Sequence, residues 1–350
     1  MTASQAGTLL EPSARSTTAA TAAEADAARA FDPGARSASS FFALRFGQHD
    51  SPRDDAGIVP VPLRRLGGGR SWPIWSGSEA AVRGAAAAGG GALSTPDHVV
   101  LHRSVALGGG ADVGAVAREV YRDLLTRARG LGYPHPVRIW NFVPDINRGA
   151  GDAETYVLFN AGRKAAFDLL GFAPARYPAA TGVGSAPGSP LTVIVAASRA
   201  EPTPIENPRQ TSAYLYPRRY GPRSPAFARA MLLPDRDGAT LFVSGTASIV
   251  GHESQHRGIE AQLAETLTNI AQLLDCAAAK FPGLRPGARR HWQVYLRDPA
   301  DLAVVEREVR SGLGDGAAVS FLQADICRRE LLVEIEGVCE FGRHAPAPGA

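Results

Sequence analysis

The sequence Leu331-Leu-Val-Glu-Ile-Glu-Gly337 puts two carboxylates on one side of a strand: side chains alternate, so Glu334 and Glu336 share one face and Val333 and Ile335 share the other. If the acidic face lines a pocket, desolvation raises a glutamate's pKa toward neutrality, and its protonated form becomes a usable general acid. Taken by itself, the same pattern reads as well as an amphipathic edge strand with two solvated glutamates.

A second concentration of chemically capable side chains lies upstream. Glu206-Asn-Pro-Arg-Gln-Thr-Ser-Ala-Tyr-Leu-Tyr-Pro-Arg-Arg-Tyr-Gly-Pro-Arg-Ser-Pro-Ala-Phe-Ala-Arg229 gathers phenols and guanidinium groups in a loop fixed by prolines, a composition suited to holding a small anion. Composition alone is equally served by a solvated loop. The segment His252-Glu-Ser-Gln-His256 matches the H-E-x-x-H pattern of zinc enzymes, which needs both histidines on one helix face. Here the residues before it, Leu241 to Gly251, read as strand then turn, and the next helix opens after Gly258. A polar loop without metal is expected. Cys327 reads by default as a small buried apolar side chain.

Apolar periodicity supplies the elements that must hold these groups. Helices are expected over 113–129, 161–170, 259–280 and 299–311, and strands over 137–143, 191–197, 241–244, 291–296 and 331–336. The order strand, helix, strand, helix, strand occurs twice, and Trp140-Asn-Phe-Val-Pro-Asp145 is echoed by Trp292-Gln-Val-Tyr-Leu-Arg-Asp298. This predicts an α+β fold built by internal duplication, each unit a mixed sheet with helices packed on one face. The boundaries read as a disordered tail over 1–40, a first unit over 41–198, a second over 199–342 and a tail over 343–350. Glycine clusters at 67–69, 89–91 and 108–110 lack the spacing of phosphate or dinucleotide loops and read as plain loops.

Composition narrows the class. The 350 residues are 45% hydrophobic and 20% charged, ordinary for a globular enzyme. A net charge of +3 without a basic run interleaved with aromatics argues against nucleic acid as a partner. No stretch has the length of a membrane span, the N-terminus lacks the apolar core of a secretory signal, and three cysteines lack metal-type spacing. A cytoplasmic protein with no membrane partner and no metal is expected. Lys164 and Lys280 are the two lysines, so arginine, with its bidentate fork, supplies most of the cations.

Phe242-Val-Ser-Gly-Thr-Ala-Ser-Ile-Val-Gly251 with Leu332-Val-Glu-Ile-Glu336 resembles the RidA/YjgF superfamily. Ile139-Trp-Asn-Phe-Val143, Gly162-Arg163, Pro178-Ala-Ala-Thr-Gly-Val-Gly184, Glu206-Asn-Pro208, Tyr216-Pro-Arg-Arg-Tyr-Gly-Pro-Arg223 and Phe227-Ala-Arg229 resemble the chorismatases within it, over residues 97 to 338. The resemblance implies two RidA/YjgF-like units, the first divergent, the second carrying the active site with Glu334 as general acid. It implies a cofactor-free enzyme, monomeric or a small homo-oligomer, whose small-molecule substrate is chorismate and which releases pyruvate. Arg163, Arg223 and Arg229 would grip carboxylates, and Tyr216 and Tyr220 would hydrogen bond and shape the pocket.

Two positions mark the branch of that family. Diol-forming members carry alanine where this chain has Gly245 and Cys327, and the 3-hydroxybenzoate formers resemble this sequence at both, so 3-hydroxybenzoate is the expected product. The alternatives are hydrolysis to the dihydrodiol, a mixture of 3- and 4-hydroxybenzoate, an imine deaminase of the RidA type, and a non-enzymatic module that binds small acids.

Overall fold

The computed structural model describes residues 42–46, 58–69, 71–75, 82–84, 90–235, 238–282, 284–314 and 316–343. The expected tail at 1–40 lies outside the described residues, and of the tail expected at 343–350 only Arg343 lies within them. Short strands come first: β1 (Phe42–Phe46), β2 (Ile58–Val61), β3 (Arg64–Gly68), β4 (Ser71–Trp75), β5 (Val82–Gly84) and β6 (Gly90–Ser94). The first repeat is β7 (His98–Val105), α1 (Val113–Gly130), β8 (His135–Pro144), α2 (Thr155–Leu169), β9 (Ala179–Ser185) and β10 (Leu191–Ser198). The linker strands β11 (Thr203–Ile205) and β12 (Ala230–Pro234) lead into the second. This consists of β13 (Gly238–Ala247), the small pair β14 (Ile249–Val250) and β15 (Glu253–Ser254), α3 (Ile259–Lys280), β16 (Leu284–Leu296), α4 (Leu302–Leu313), β17 (Ala318–Gln323) and β18 (Val333–Arg343).

The sheets carry the duplication. One has the order β5-β6-β7-β10-β8-β9, the other β11-β12-β13-β18-β16-β17-β3. In each, the last strand of the repeat (β10 or β18) inserts antiparallel between the first (β7 or β13) and the second (β8 or β16), and the second pairs parallel with the third. The expected α+β architecture of two repeated units, each a mixed sheet with helices packed on one face, is present.

Side-chain alternation sorts the strands into two faces. The outer face of the first sheet packs on α1 and α2 through Ile139, Val143, Val193 and Val195, and that of the second packs on α3 and α4 through Val294, Val333 and Ile335. The inner faces share one core, in which Trp140 and Phe142 meet Phe242, Tyr295 and Val338, and the β2-β1-β4 sheet adds Phe42, Leu44 and Trp72. Trp72 stands edge-on to Trp140, 5.9 Å between centroids.

Helix α1 shows why the sequence folds this way locally. Asp112 caps it by accepting from Ala115 N at 3.0 Å, Val120, Tyr121, Leu124 and Ala128 recur on its buried face, and Arg127 and Arg129 sit in its last turn. It lies close against α2 because Gly162 has no side chain: a Cβ there would come within 2.0 Å of Gly114 O.

Three expectations are corrected. α2 begins at Thr155 and not at 161, since a run of β-preferring residues, Tyr156-Val-Leu-Phe159, hides its first turns. Gly67, Gly68, Gly90 and Gly91 lie in strands and not loops: a Cβ would come within 2.0 Å of Val319 O at Gly68 and 2.4 Å of His102 O at Gly90. β18 is the central strand of its sheet, not an edge. β3, from the N-terminal stretch, completes the far edge of the second sheet against β17.

Among the described residues, no helix is long and apolar enough to cross a membrane.

Candidate active site

The two glutamates sit on the inner face of β18, as alternation requires, and both are buried: Glu334 is 3% exposed and Glu336 0%. Across the seam stands Arg138, from the inner face of β8, also 0% exposed. Its Nη2 pairs with Glu336 Oε2 and donates to Thr181 Oγ1. The other carboxylate oxygen of Glu336 accepts from the Tyr295 hydroxyl at 2.8 Å. Thr181 Oγ1 also accepts from Gly245 N at 2.9 Å, and Ser244 Oγ accepts from Ala180 N at 2.9 Å. Polar bonds thus stitch the inner faces of the two sheets together around one buried ion pair.

Glu334 is fitted into this seam by what flanks it. β13 changes register between Val243 and Thr246, and the irregularity brings Gly245 against the carboxyl. A Cβ at Gly245 would lie 2.0 Å from Glu334 Oε1, so only glycine leaves room for the carboxyl where it stands. On the other side Cys327 Sγ donates to Glu334 Oε2 at 3.8 Å. Burial, then the negative charge of Glu336, push the Glu334 carboxyl up to about 8, while Arg138, Cys327 and Arg229 pull it down. It is therefore protonated at neutral pH and has a proton to give. Burial pushes the Cys327 thiol up to about 12, so it remains a neutral thiol.

The arginines and tyrosines of the proline-rich loop divide into an inner and an outer group. Arg229 is buried; its Nη2 donates to Tyr216 OH at 2.7 Å and to Thr211 O at 2.8 Å, while its Nε has no hydrogen-bond partner. Tyr216 stacks at a tilt with Tyr220, 5.3 Å between centroids, and Arg328, the residue after Cys327, lies 4.1 Å over the Tyr220 ring. Arg163 is buried on α2, donating to Asn160 Oδ1 at 2.7 Å, and like Arg229 it packs over the Phe227 ring. Tyr156, the second residue of the same helix, lies within electrostatic reach of both groups: burial raises its hydroxyl's pKa, and Cys327, Arg163 and Glu334 all act on it.

Arg223 stands apart. Its guanidinium is more than half exposed and pairs with Asp168 at 3.4 Å. Outside Tyr220 a cleft of about 720 Å³ opens, lined also by Arg219, Glu253, His256, Arg257 and Glu330. His252 and His256 lie on a turn and beside the short β15, with His256 at φ 64°, so they share no helix face, in keeping with the polar loop expected.

Sequence reasoning missed Arg138, Thr181, Tyr156 and Arg328. Arg138 had a local signal, a cation inside the apolar run from Val137 to Val143, since an arginine in a buried strand requires a partner. Thr181 lay inside the Pro178–Gly184 segment that carries the family resemblance but was not singled out there, and Tyr156 had no signal, because its importance comes from the packing of the two units.

The chain is similar to several known proteins. A family model described as Chorismatase FkbO/Hyg5-like, N-terminal, matches residues 74–197. A chorismatase of Streptomyces rapamycinicus is 41% identical over 252 residues, covering 70% of this chain and 75% of that protein. A 3-hydroxybenzoate synthase of Streptomyces hygroscopicus is 40% identical over 231 residues, covering 63% and 68%. A crystal structure of a chorismatase superposes with a TM-score of 0.75 at 30% identity, over 88% of this chain and 95% of the other.

Proposed function

The chain belongs to the chorismatase family, and from that premise we propose that it converts chorismate to 3-hydroxybenzoate and pyruvate, with Glu334 as the general acid. The observation that carries the reading is the Glu334 carboxyl itself: buried, protonated at neutral pH, and bounded by Gly245 and Cys327.

Chorismate carries two carboxylates, an enol ether at ring C3 and a hydroxyl at C4. Its recognition needs cations, and Arg163 and Arg229 are buried guanidiniums on the Tyr216 and Phe227 side of the site. Tyr216 and Tyr220 shape the wall, and Arg223, at the rim, adds attraction as the dianion approaches. Glu334 protonates the enolpyruvyl methylene carbon, leaving an oxocarbenium-like centre and a glutamate anion. Arg138 and Arg229 favour that anion.

The C3–O bond then breaks, releasing the three-carbon fragment as pyruvate, while the C4 oxygen attacks C3 and its proton passes to the Glu334 carboxylate, restoring the acid. The resulting arene oxide opens and aromatises to 3-hydroxybenzoate. The two products account for every atom of chorismate, so water is not consumed, and the route requires neither metal nor cofactor. Hydrolysis to the diol, by contrast, consumes one water. In this chain the thiol of Cys327 and the absence of a methyl at Gly245 favour intramolecular attack by setting how the ring lies against Glu334.

Pyruvate release by Glu334→Gln and Glu334→Asp tests the assignment. The glutamine variant, which has no proton to give, is expected to lose about 10²- to 10⁴-fold in kcat/KM. The aspartate variant should retain part of the activity. A glutamine variant as fast as the parent would remove Glu334 from the chemistry.

A further inference from the structure

Arg297, the first residue after β16, has every guanidinium nitrogen engaged with the segment that carries Cys327. Its Nε donates to Leu331 O at 2.9 Å, and its Nη1 donates to Asp325 Oδ1 at 2.5 Å and Asn147 Oδ1 at 3.2 Å. Nη2 donates to Ile326 O at 3.2 Å and Arg328 O at 2.9 Å, the carbonyls of the residues on either side of Cys327. The fork is held in place through its own backbone, since Arg297 N donates to Leu332 O at 3.0 Å, just before β18 begins.

The segment is also tied to the first unit. Asn147, in the turn between β8 and α2, donates from Nδ2 to Ile326 O at 3.1 Å, and Gly184 N, on β9, donates to Asp325 O at 2.7 Å. Arg329 reaches back to Gly149 O at 2.7 Å. That turn of the first unit runs directly into α2, where Tyr156 N donates to Ile146 O at 3.0 Å. Arg297 therefore sits where the Cys327 segment, the start of β18 with Glu334, and the turn that leads into α2 and Tyr156 meet.

We propose that Arg297 is a positioning residue of this site: it clamps the backbone on both sides of Cys327, fixing the thiol against the Glu334 carboxyl and so selecting the route that follows protonation. The inference rests on the reading of Cys327 as a determinant of the product. No other side chain could make this clamp, because five bonds to fixed acceptors need a planar fork, and a lysine offers one nitrogen with three donors.

The full-length chain with Arg297→Lys, or separately Asn147→Ala, is compared with the parent in two assays. One is the share of released pyruvate that is matched by 3-hydroxybenzoate. The other is the rate at which iodoacetamide alkylates Cys327, located by peptide mass spectrometry, with half-buried Cys276 on α3 as the internal reference. Arg297→Lys is expected to lower the hydroxybenzoate share and to speed Cys327 alkylation several-fold with Cys276 unchanged; Asn147→Ala should move both in the same direction by less.

General loosening of the fold would accelerate both cysteines together, and that result overturns the proposal. So does an unchanged Cys327 rate, or a faster one with an unaltered product share. If Arg297→Lys does not fold, Asn147→Ala carries the same two readouts alone. Cys327→Ala tests the underlying reading separately: if it leaves the product share untouched, the product reading fails, and alkylation alone judges the clamp.

Discussion

Gly245 and Glu334 are fitted to one another: a methyl group at position 245 would stand 2.0 Å from Glu334 Oε1 and 2.8 Å from its Cδ, far inside van der Waals contact. The residue that permits the carboxyl to stand where it does is one of the two that the proposed function makes determinants of the product, and the other, Cys327, touches the opposite oxygen. Gly245→Ala must therefore drive the carboxyl to another position. Misplacement by about 1 Å is expected to cost on the order of 10²-fold in hydroxybenzoate formation, with diol taking a larger share of product. Chromatography of the products of the alanine variant checks this, and a product mixture identical to the parent's would separate Gly245 from the outcome.

The raised pKa of Glu334 fixes the direction of the pH dependence. The acid works only while protonated, so kcat/KM should be level below neutrality and fall as pH rises through about 8. Glu336 contributes to the elevation through its negative charge, so Glu336→Gln should move the falling limb to lower pH. Linkage gives a second reading of the same shift. A carboxyl raised from 4.5 to about 8 binds a proton more tightly in the folded state, so its contribution to stability is complete below about 4.5 and is lost as pH climbs to about 8. Urea denaturation across that window should show this loss in the parent and a smaller one in Glu334→Gln.

The buried pair of Arg138 and Glu336 joins two sheets where water cannot replace a missing partner. Arg138→Met leaves a buried carboxylate uncompensated and is expected to destabilise the protein by about 3–5 kcal/mol. The double variant Arg138→Met with Glu336→Met should recover much of that loss, because the cost lies in the unpaired charge more than in the absent bond. Denaturant midpoints at constant slope decide it; a double variant no better than the single one would mean the network has a role beyond charge compensation.

The two groups of arginine should separate in KM. Arg229 is buried with an unpartnered Nε, whereas Arg223 is exposed and paired with Asp168. Arg229→Ala is therefore expected to raise KM far more than Arg223→Ala, whose effect should shrink further with added salt as rim charges are screened. Initial rates over a range of chorismate concentrations give the comparison.

Much of the fold was legible because periodicity is a local property. The span of α3 and the alternation of β18 are read directly from their residues, and so is the repeated order of elements. What local pattern could not supply was position within the sheet. Glu334 and Glu336 on an amphipathic strand look alike whether that strand is an edge or the centre, and burial, which raises the pKa, depends on Arg138 and Thr181, which arrive from distant stretches of the chain. The helix over Thr155 to Leu169 started early for a related reason: Tyr156-Val-Leu-Phe159 is β-preferring by composition and helical by tertiary packing. Cys327 and Gly245 drew attention through the family resemblance alone. Their common contact with Glu334 is a fact of three dimensions.

The central claim is tested most directly by incubating the purified protein with chorismate, with no metal or cofactor added, and identifying the products by chromatography and mass spectrometry. The account predicts pyruvate and 3-hydroxybenzoate in equal amounts, with no oxygen from labelled water in the hydroxybenzoate. Pyruvate with a dihydrodiol would contradict the intramolecular route and the role given to Gly245 and Cys327; unchanged chorismate would contradict the enzymatic assignment altogether.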